Sequence, residues 1–182
     1  MKPVLKHGTQ DIRELYLAIG YAVSKWEHLE TRLFLLYSNL ASRDFFSDTQ
    51  AYSAILSFRA RATTIERLAE YRLKNHSETL KQLNTMLERI KRLSQRRNEV
   101  VHGQIAHLNN TITRDDSTTT SAGYYVENSI YGSVYDVRHS KKHFAHNAND
   151  IIGFGNSFEE CRNDLNQLIE KIENADIRYT DA

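Results

Sequence analysis

The sequence predicts a mainly α fold, an up-down bundle of four helices with a small β-hairpin inserted between the third and the fourth. Three observations predict it. Apolar residues recur at alternating spacings of three and four through four separate stretches, as in amphipathic helices that pack on one another. One proline and seven glycines in 182 residues give long helices few reasons to stop. Residues 108 to 147 lose that rhythm and turn rich in threonine, tyrosine and valine. The length suits a single domain with a substantial core.

Helix one is expected over residues 10 to 41, capped by Thr9 or Asp11. Its seam is Leu15, Ile19, Ala22, Trp26, Leu29, Leu33, Leu36 and Leu40. A second row, Ile12, Tyr16, Val23, Phe34 and Tyr37, widens the stripe enough to touch more than one neighbour. The connection from Ser42 to Thr49 carries Phe45-Phe46, expected to fold back onto the bundle. Helix two is expected over 49 to 75, with Ala51, Ile55, Phe58, Ala62, Ile65 and Ala69 as its seam. The small residues there imply a close approach to helix one. Arg59 and Arg61 project beside this seam, either as salt-bridged surface groups or as the lining of a groove.

Helix three is expected over 78 to 106 behind Ser77 as its cap, with Leu80, Leu83, Leu87 and Ile90 on the seam. Continued in phase, the seam reaches Ser94, Arg97 and Val101, so an arginine stands where a leucine belongs. An unpartnered guanidinium out of water costs several kcal/mol, so Arg97 must meet an acid from another helix or face a wet groove. Glu27 and Glu30, beside the stripe of helix one, are the candidate acids; otherwise both are solvated. Asn98 and His102 lie about 40° apart on the helix and Arg97 and His102 about 140° apart. The three can flank a shallow groove without forming a compact cluster. Basic residues gather towards the end of this helix, partly complementing its dipole. Arg92 and Arg96, with Arg59 of helix two, are the candidate contacts for nucleic-acid phosphates.

Between helices three and four, residues 108 to 147 form the β-rich insertion. Asn109 to Ser121 reads as a mobile polar loop, followed by two or three short strands built on Tyr124, Tyr125, Val126, Ile130, Tyr131, Val134, Tyr135 and Val137. His139, His143 and His146 have a spacing that zinc sites use, but Lys141 and Lys142 repel a cation, and a solvated basic turn is favoured. No metal or cofactor is expected. Helix four is expected over 150 to 174, capped by Asn149 or Asp150, with Ile151, Phe154, Phe158, Cys161, Leu165, Leu168 and Ile172 on its seam. Gly153 and Gly155 weaken its start, placing the regular helix nearer Ser157. Cys161 reads as a small buried hydrophobe.

With 24 basic and 23 acidic residues the chain has no global basic character, so any nucleic-acid site must be local. A single cysteine excludes an internal disulfide and fits a reducing compartment. No apolar run approaches the roughly 18 residues of a membrane span and no signal peptide is evident, so a cytoplasmic protein without membrane contact is expected.

Arg97-Asn98-x-x-x-His102 near the end of the third of four helices resembles the motif of the HEPN superfamily. In that family an arginine, usually followed by a polar residue, precedes a histidine by four to six intervening positions. The likeness covers residues 10 to 107 and 148 to 175 and leaves 108 to 147 outside the common core. It implies a metal-independent endoribonuclease whose homodimer faces two motifs into one cleft, acting as a toxin or antiviral effector with RNA as substrate and an antitoxin or other protein as partner. His102 would then exchange protons with the ribose 2′-OH or the leaving oxygen, Arg97 would stabilise the phosphorane, and Asn98 would orient one of them. The likeness equally covers a non-catalytic HEPN-like module that binds a protein or nucleotide partner, with Arg97 tied to Glu27 or Glu30 and His102 packing or capping.

Overall fold

The computed structural model describes residues 7–41, 44–114, 117–128 and 144–174. Among these residues are five helices: α1 (Ile12–Leu40), α2 (Phe45–Ser53), α3 (Phe58–Arg72), α4 (Ser77–His102) and α5 (Ala148–Asn174). Strands β1 (Gln104–Arg114), β2 (Ser117–Glu127) and β3 (Ala145–His146) make an antiparallel sheet in the order β1-β2-β3. The chain divides into two compact units, Met1–Ser24 with Arg96–Asn156 and Lys25–Gln95 with Ser157–Ala182. Helices α1, α4 and α5 each contribute residues to both.

The unit of Lys25–Gln95 and Ser157–Ala182 is helical, and its core follows the seams. Trp26, Leu29, Leu33, Leu36 and Leu40 of α1, Leu83, Leu87 and Ile90 of α4, and Phe158, Cys161 and Leu165 of α5 are all buried. Trp26 stands edge-on to Phe58 at 5.4 Å and to Phe158 at 5.3 Å, in the geometry aromatic quadrupoles prefer.

Residues 49 to 75 do not make one helix. The chain breaks between Ala54 and Ser57, where the Ser57 hydroxyl accepts from the Ala60 amide at 3.1 Å and caps α3. Arg61 fastens the break by donating from Nε to the Ile55 carbonyl at 2.9 Å. The buried positions of α2 are accordingly Asp48 and Tyr52, while Ala51 is exposed. Asp48 is kept inside by the Ser38 hydroxyl, which donates to it at 2.6 Å. Phe45 sets its ring edge-on to Phe34 at 5.5 Å, but Phe45 and Phe46 remain 65% and 75% exposed, so that pair does not fold back onto the helices as expected.

The break changes the path of the chain. Phe58 meets Trp26, Arg61 meets Glu30, and Arg72 donates to the Leu40 carbonyl, so α3 ascends alongside α1. Lys25 with Glu159, and Asn39 with Glu173, show that α5 ascends alongside α1 too. Arg89 pairs with Asp164 and Lys171 donates to Gln82, so α4 descends against α5. Strict alternation of direction is thus replaced by three helices running one way and α4 the other, because α2 and its linker make the return stroke.

The unit of Met1–Ser24 and Arg96–Asn156 contains the sheet. Helix α4 stops at His102, earlier than residue 106, and β1 begins at Gln104. Gly103 makes this junction, since a Cβ there would stand 2.4 Å from Val126 Cγ1 and 2.6 Å from the Glu99 carbonyl oxygen. In the polar stretch from Asn109 to Ser121, residues 109–114 and 117–121 are strand, paired across β1 and β2 from Gln104↔Glu127 to Arg114↔Ser117. Threonine is β-branched and suits extended backbone, and here the partner strand supplies what local apolar alternation does not. Ile130, Tyr131, Val134, Tyr135, Val137, His139 and His143 lie outside the described residues.

Both helix starts of this unit are locally encoded. Asp11 caps α1 by accepting from the Arg13 amide at 2.9 Å, whereas Thr9 bridges to Tyr124 in β2. Helix α5 begins at Ala148 behind Asn147, whose Oδ1 accepts from the Asp150 amide at 2.9 Å while the Asp150 carboxylate accepts from the Asn147 amide at 3.3 Å. The Thr9 hydroxyl takes the Ala148 amide at 2.8 Å. The cap therefore precedes Asn149 and Asp150, and the helix runs through both glycines without waiting for Ser157. Gly155 earns its place by close packing, since a Cβ there would meet Tyr21 Cε1 at 2.5 Å and Ala22 Cα at 3.2 Å.

Candidate functional site at the end of α4

Leu83, Leu87 and Ile90 of the α4 seam are buried while Leu80 is half-buried, and the next buried residue is Val100, not Val101, which is 41% exposed. The last turn turns a different face inward because it packs beside the strands, with Gly103 against Val126 and Glu99 against His146. Asn98 and His102 are thereby left exposed. The His102 side chain makes no hydrogen bond among the described residues, so its imidazole is open to a ligand.

Arg97 is half-buried. One terminal nitrogen donates to Asn98 Oδ1 at 3.3 Å, while Nε is buried and has no hydrogen-bond partner among the described residues. A buried, unsatisfied donor on a permanently charged group is costly. Glu30 is occupied by Arg61 at 3.3 Å and Glu27 is exposed, with its backbone carbonyl accepting from the Thr31 hydroxyl. Arg97 thus bonds to its neighbour Asn98 and not to either expected acid.

Of the RNA-contact candidates, Arg96 is half-committed. Its guanidinium pairs with Glu99 at 2.8 Å and lies over the Phe154 ring at 5.6 Å. Arg92 is exposed and lines a shallow groove of α4 with Lys81 and Thr85. Arg59 is exposed on α3. Arg61 is salt-bridged to Glu30. Lys91 is paired in place: the hydrogen bonds it donates to Glu66 and then to Glu88 hold its ammonium pKa above the ordinary lysine value. What the structure gathers on about two turns of α4 is therefore Arg96, Arg97, Asn98, Glu99 and His102.

A further pair was hidden from the sequence. Glu99 Oε2 also accepts from Nε2 of His146, at 2.9 Å, and His146 is only 8% exposed. Its ring is stacked on Phe144 at 4.9 Å and edge-on to Phe154 at 4.9 Å. The i,i+3 spacing of Arg96 and Glu99 is legible as a helical ion pair. No local signal announces that the third histidine of a basic turn is carried under the helix by pairing of Val126 with His146. Cys161 is buried, and loss of solvent pushes its thiol up to about 11, which suits packing and not nucleophilic attack.

Comparison with protein-family models, curated proteins and solved structures finds no match to this chain.

Proposed function

We propose that this protein is a metal-independent endoribonuclease of HEPN type, acting as a homodimer through Arg97, Asn98 and His102. The observation that carries the reading is the last turn of α4, where an exposed imidazole and an exposed amide share a face beside a half-buried guanidinium with an unpartnered Nε. In this reading α1, α3, α4 and α5 are the four helices of a HEPN-like core, α2 is an addition, and β1 to β3 are the insertion.

His102 removes the proton of a ribose 2′-OH, whose oxygen attacks the adjacent phosphorus. The bond from phosphorus to the 5′ oxygen breaks, and that oxygen takes up a proton from the protonated imidazole. The products are a 2′,3′-cyclic phosphate and a 5′-hydroxyl. The nucleophile is already beside the phosphorus, which removes most of the entropic barrier to attack. Arg97 offers its terminal nitrogens to the phosphorane oxygens, and Asn98, bonded to the guanidinium, fixes its tilt. In a dimer with facing motifs, Arg97 of one copy serves His102 of the other, which accommodates their wide angular separation on one helix.

The test is incubation of purified protein with single-stranded RNA in EDTA. Wild type is expected to nick it, and His102→Ala to lose about 10²- to 10⁴-fold in rate while eluting at the wild-type size. Equal nicking by the variant rejects the assignment. A second reading is favoured by the hydrogen bond between Arg97 and Asn98, which already gives the guanidinium a structural use. In that reading the protein is a non-catalytic module for a protein or nucleotide partner. Arg97→Ala then lowers the melting temperature and RNA stays intact. A role as toxin or antiviral effector follows from the family resemblance alone.

A further inference from the structure

We propose that His146 is a positioning residue for the α4 site, acting through Glu99 to fix the direction in which the last helical turn presents Asn98 and His102. The inference rests on the reading of Asn98 and His102 as the reacting face.

A helix end frays, because its last carbonyls lack intrahelical partners, and His102 is the final residue of α4. A reacting imidazole there needs an external brace, since a displacement near 1 Å loses much of the benefit of orientation. Glu99 sits three residues before His102 and one after Asn98, so it is the side chain of that turn best placed to carry a brace. Its carboxylate can only accept, so Nε2 of His146 carries the hydrogen across the 2.9 Å contact.

The imidazole is itself immobilised. Phe144 lies against its face with planes 12° apart, and Phe154 meets it at 89°. Its backbone is held by the pairing of Val126 with His146. Among the described residues the charged side chain that meets the pair is Arg96, which pairs with Glu99 at 2.8 Å and covers Phe154. Fixation therefore runs from strand β2 to β3, through one ring, to one carboxylate, and so to the turn that carries the proposed chemistry. A purely apolar contact would bury the same area without setting a direction. A hydrogen bond to a charged group sets one.

Two substitutions separate the brace from simple packing. His146→Phe keeps an aromatic ring between Phe144 and Phe154 but removes the donor. His146→Gln keeps a donor and removes the ring. Amide hydrogen exchange of residues 98–102 is measured on both, together with kcat and KM for single-stranded RNA. His146→Phe is expected to raise exchange in that turn about tenfold and to lower kcat about tenfold with KM unchanged, while His146→Gln recovers both to within about threefold of wild type. Glu99→Ala is expected to match His146→Phe, and serves in its place should the phenylalanine variant fail to fold. Unchanged exchange in folded His146→Phe and Glu99→Ala overturns the proposal, as does a loss in His146→Gln equal to that in His146→Phe. Should wild type cut no RNA, the enzymatic reading fails and with it the catalytic meaning of the brace, while the exchange data still decide whether the brace exists.

Discussion

At the scale of single residues, burial decides the chemistry of the one thiol. Cys161 has no exposed surface and lies 3.6 Å from Met86 Sδ, and desolvation pushes its pKa from 9.0 to about 11. About two decades of thiolate are lost at neutral pH, so a disulfide reagent at pH 8 is expected to react at least about 100-fold more slowly with folded protein than with protein in denaturant. A folded protein that reacts at the denatured rate would place the thiol at the surface. The sign of the linkage is alkaline: the fold favours the protonated thiol, so stability is retained below pH 9 and declines as pH rises from about 9 to about 11. The burial of Cys161 was readable from its place on a helical seam. Arg97 was readable as a misfit, but its bond to Asn98 was not, because a side chain of this length reaches partners that periodicity does not name. The pair of Glu99 and His146 was out of reach, since 47 residues separate them and only strand pairing brings them together.

At the scale of elements, the α1 and α5 seams are the most legible parts of the chain, because their periodicity persists for many turns and their interiors follow it. The break between α2 and α3 is not, since Ile55 and Phe58 fit a continuous helical stripe as well as they fit a capped linker. The start of α5 lies before the glycines that the sequence sets as its limit, and the packing explains why. Gly155→Ala would drive a methyl group into Tyr21, and is expected to lower stability by about 1–3 kcal/mol. Gly20→Ala on α1 has open space above it and is expected to raise stability by up to about 1 kcal/mol through helix propensity. Chemical denaturation of the two variants checks the contrast, and a Gly155→Ala protein as stable as wild type would contradict the close approach. Asn147→Ala, which removes the cap of α5, is expected to cost about 1 kcal/mol in the same measurement. The strand between Asn109 and Arg114 reads as a loop in the sequence because its hydrogen bonds are made to a partner segment and its polar residues give no apolar alternation.

At the scale of the whole molecule, two compact units share three continuous helices, α1, α4 and α5. Separate unfolding would have to break each of those helices in mid-course, which forfeits hydrogen bonds in every one. Thermal unfolding followed by Trp26 fluorescence and by far-ultraviolet circular dichroism is therefore expected to give one coincident transition, whereas two resolved transitions would show that the shared helices do not couple the units. No helix among the described residues is long and apolar enough to cross a membrane. The formal net charge is +1, so attraction for RNA must come from a few local cations and should weaken with salt accordingly. All of this returns to the last turn of α4 and the chemistry proposed there. The most direct measurement uses an RNA oligonucleotide with and without a single 2′-deoxy nucleotide at the mapped scission point, incubated in EDTA with the products analysed by mass. The account requires a 2′,3′-cyclic phosphate and a 5′-hydroxyl from the all-ribose strand and no scission at the deoxy position. Cutting of both strands at the same rate would contradict it, since the attacking oxygen would then not be the one that His102 is proposed to activate.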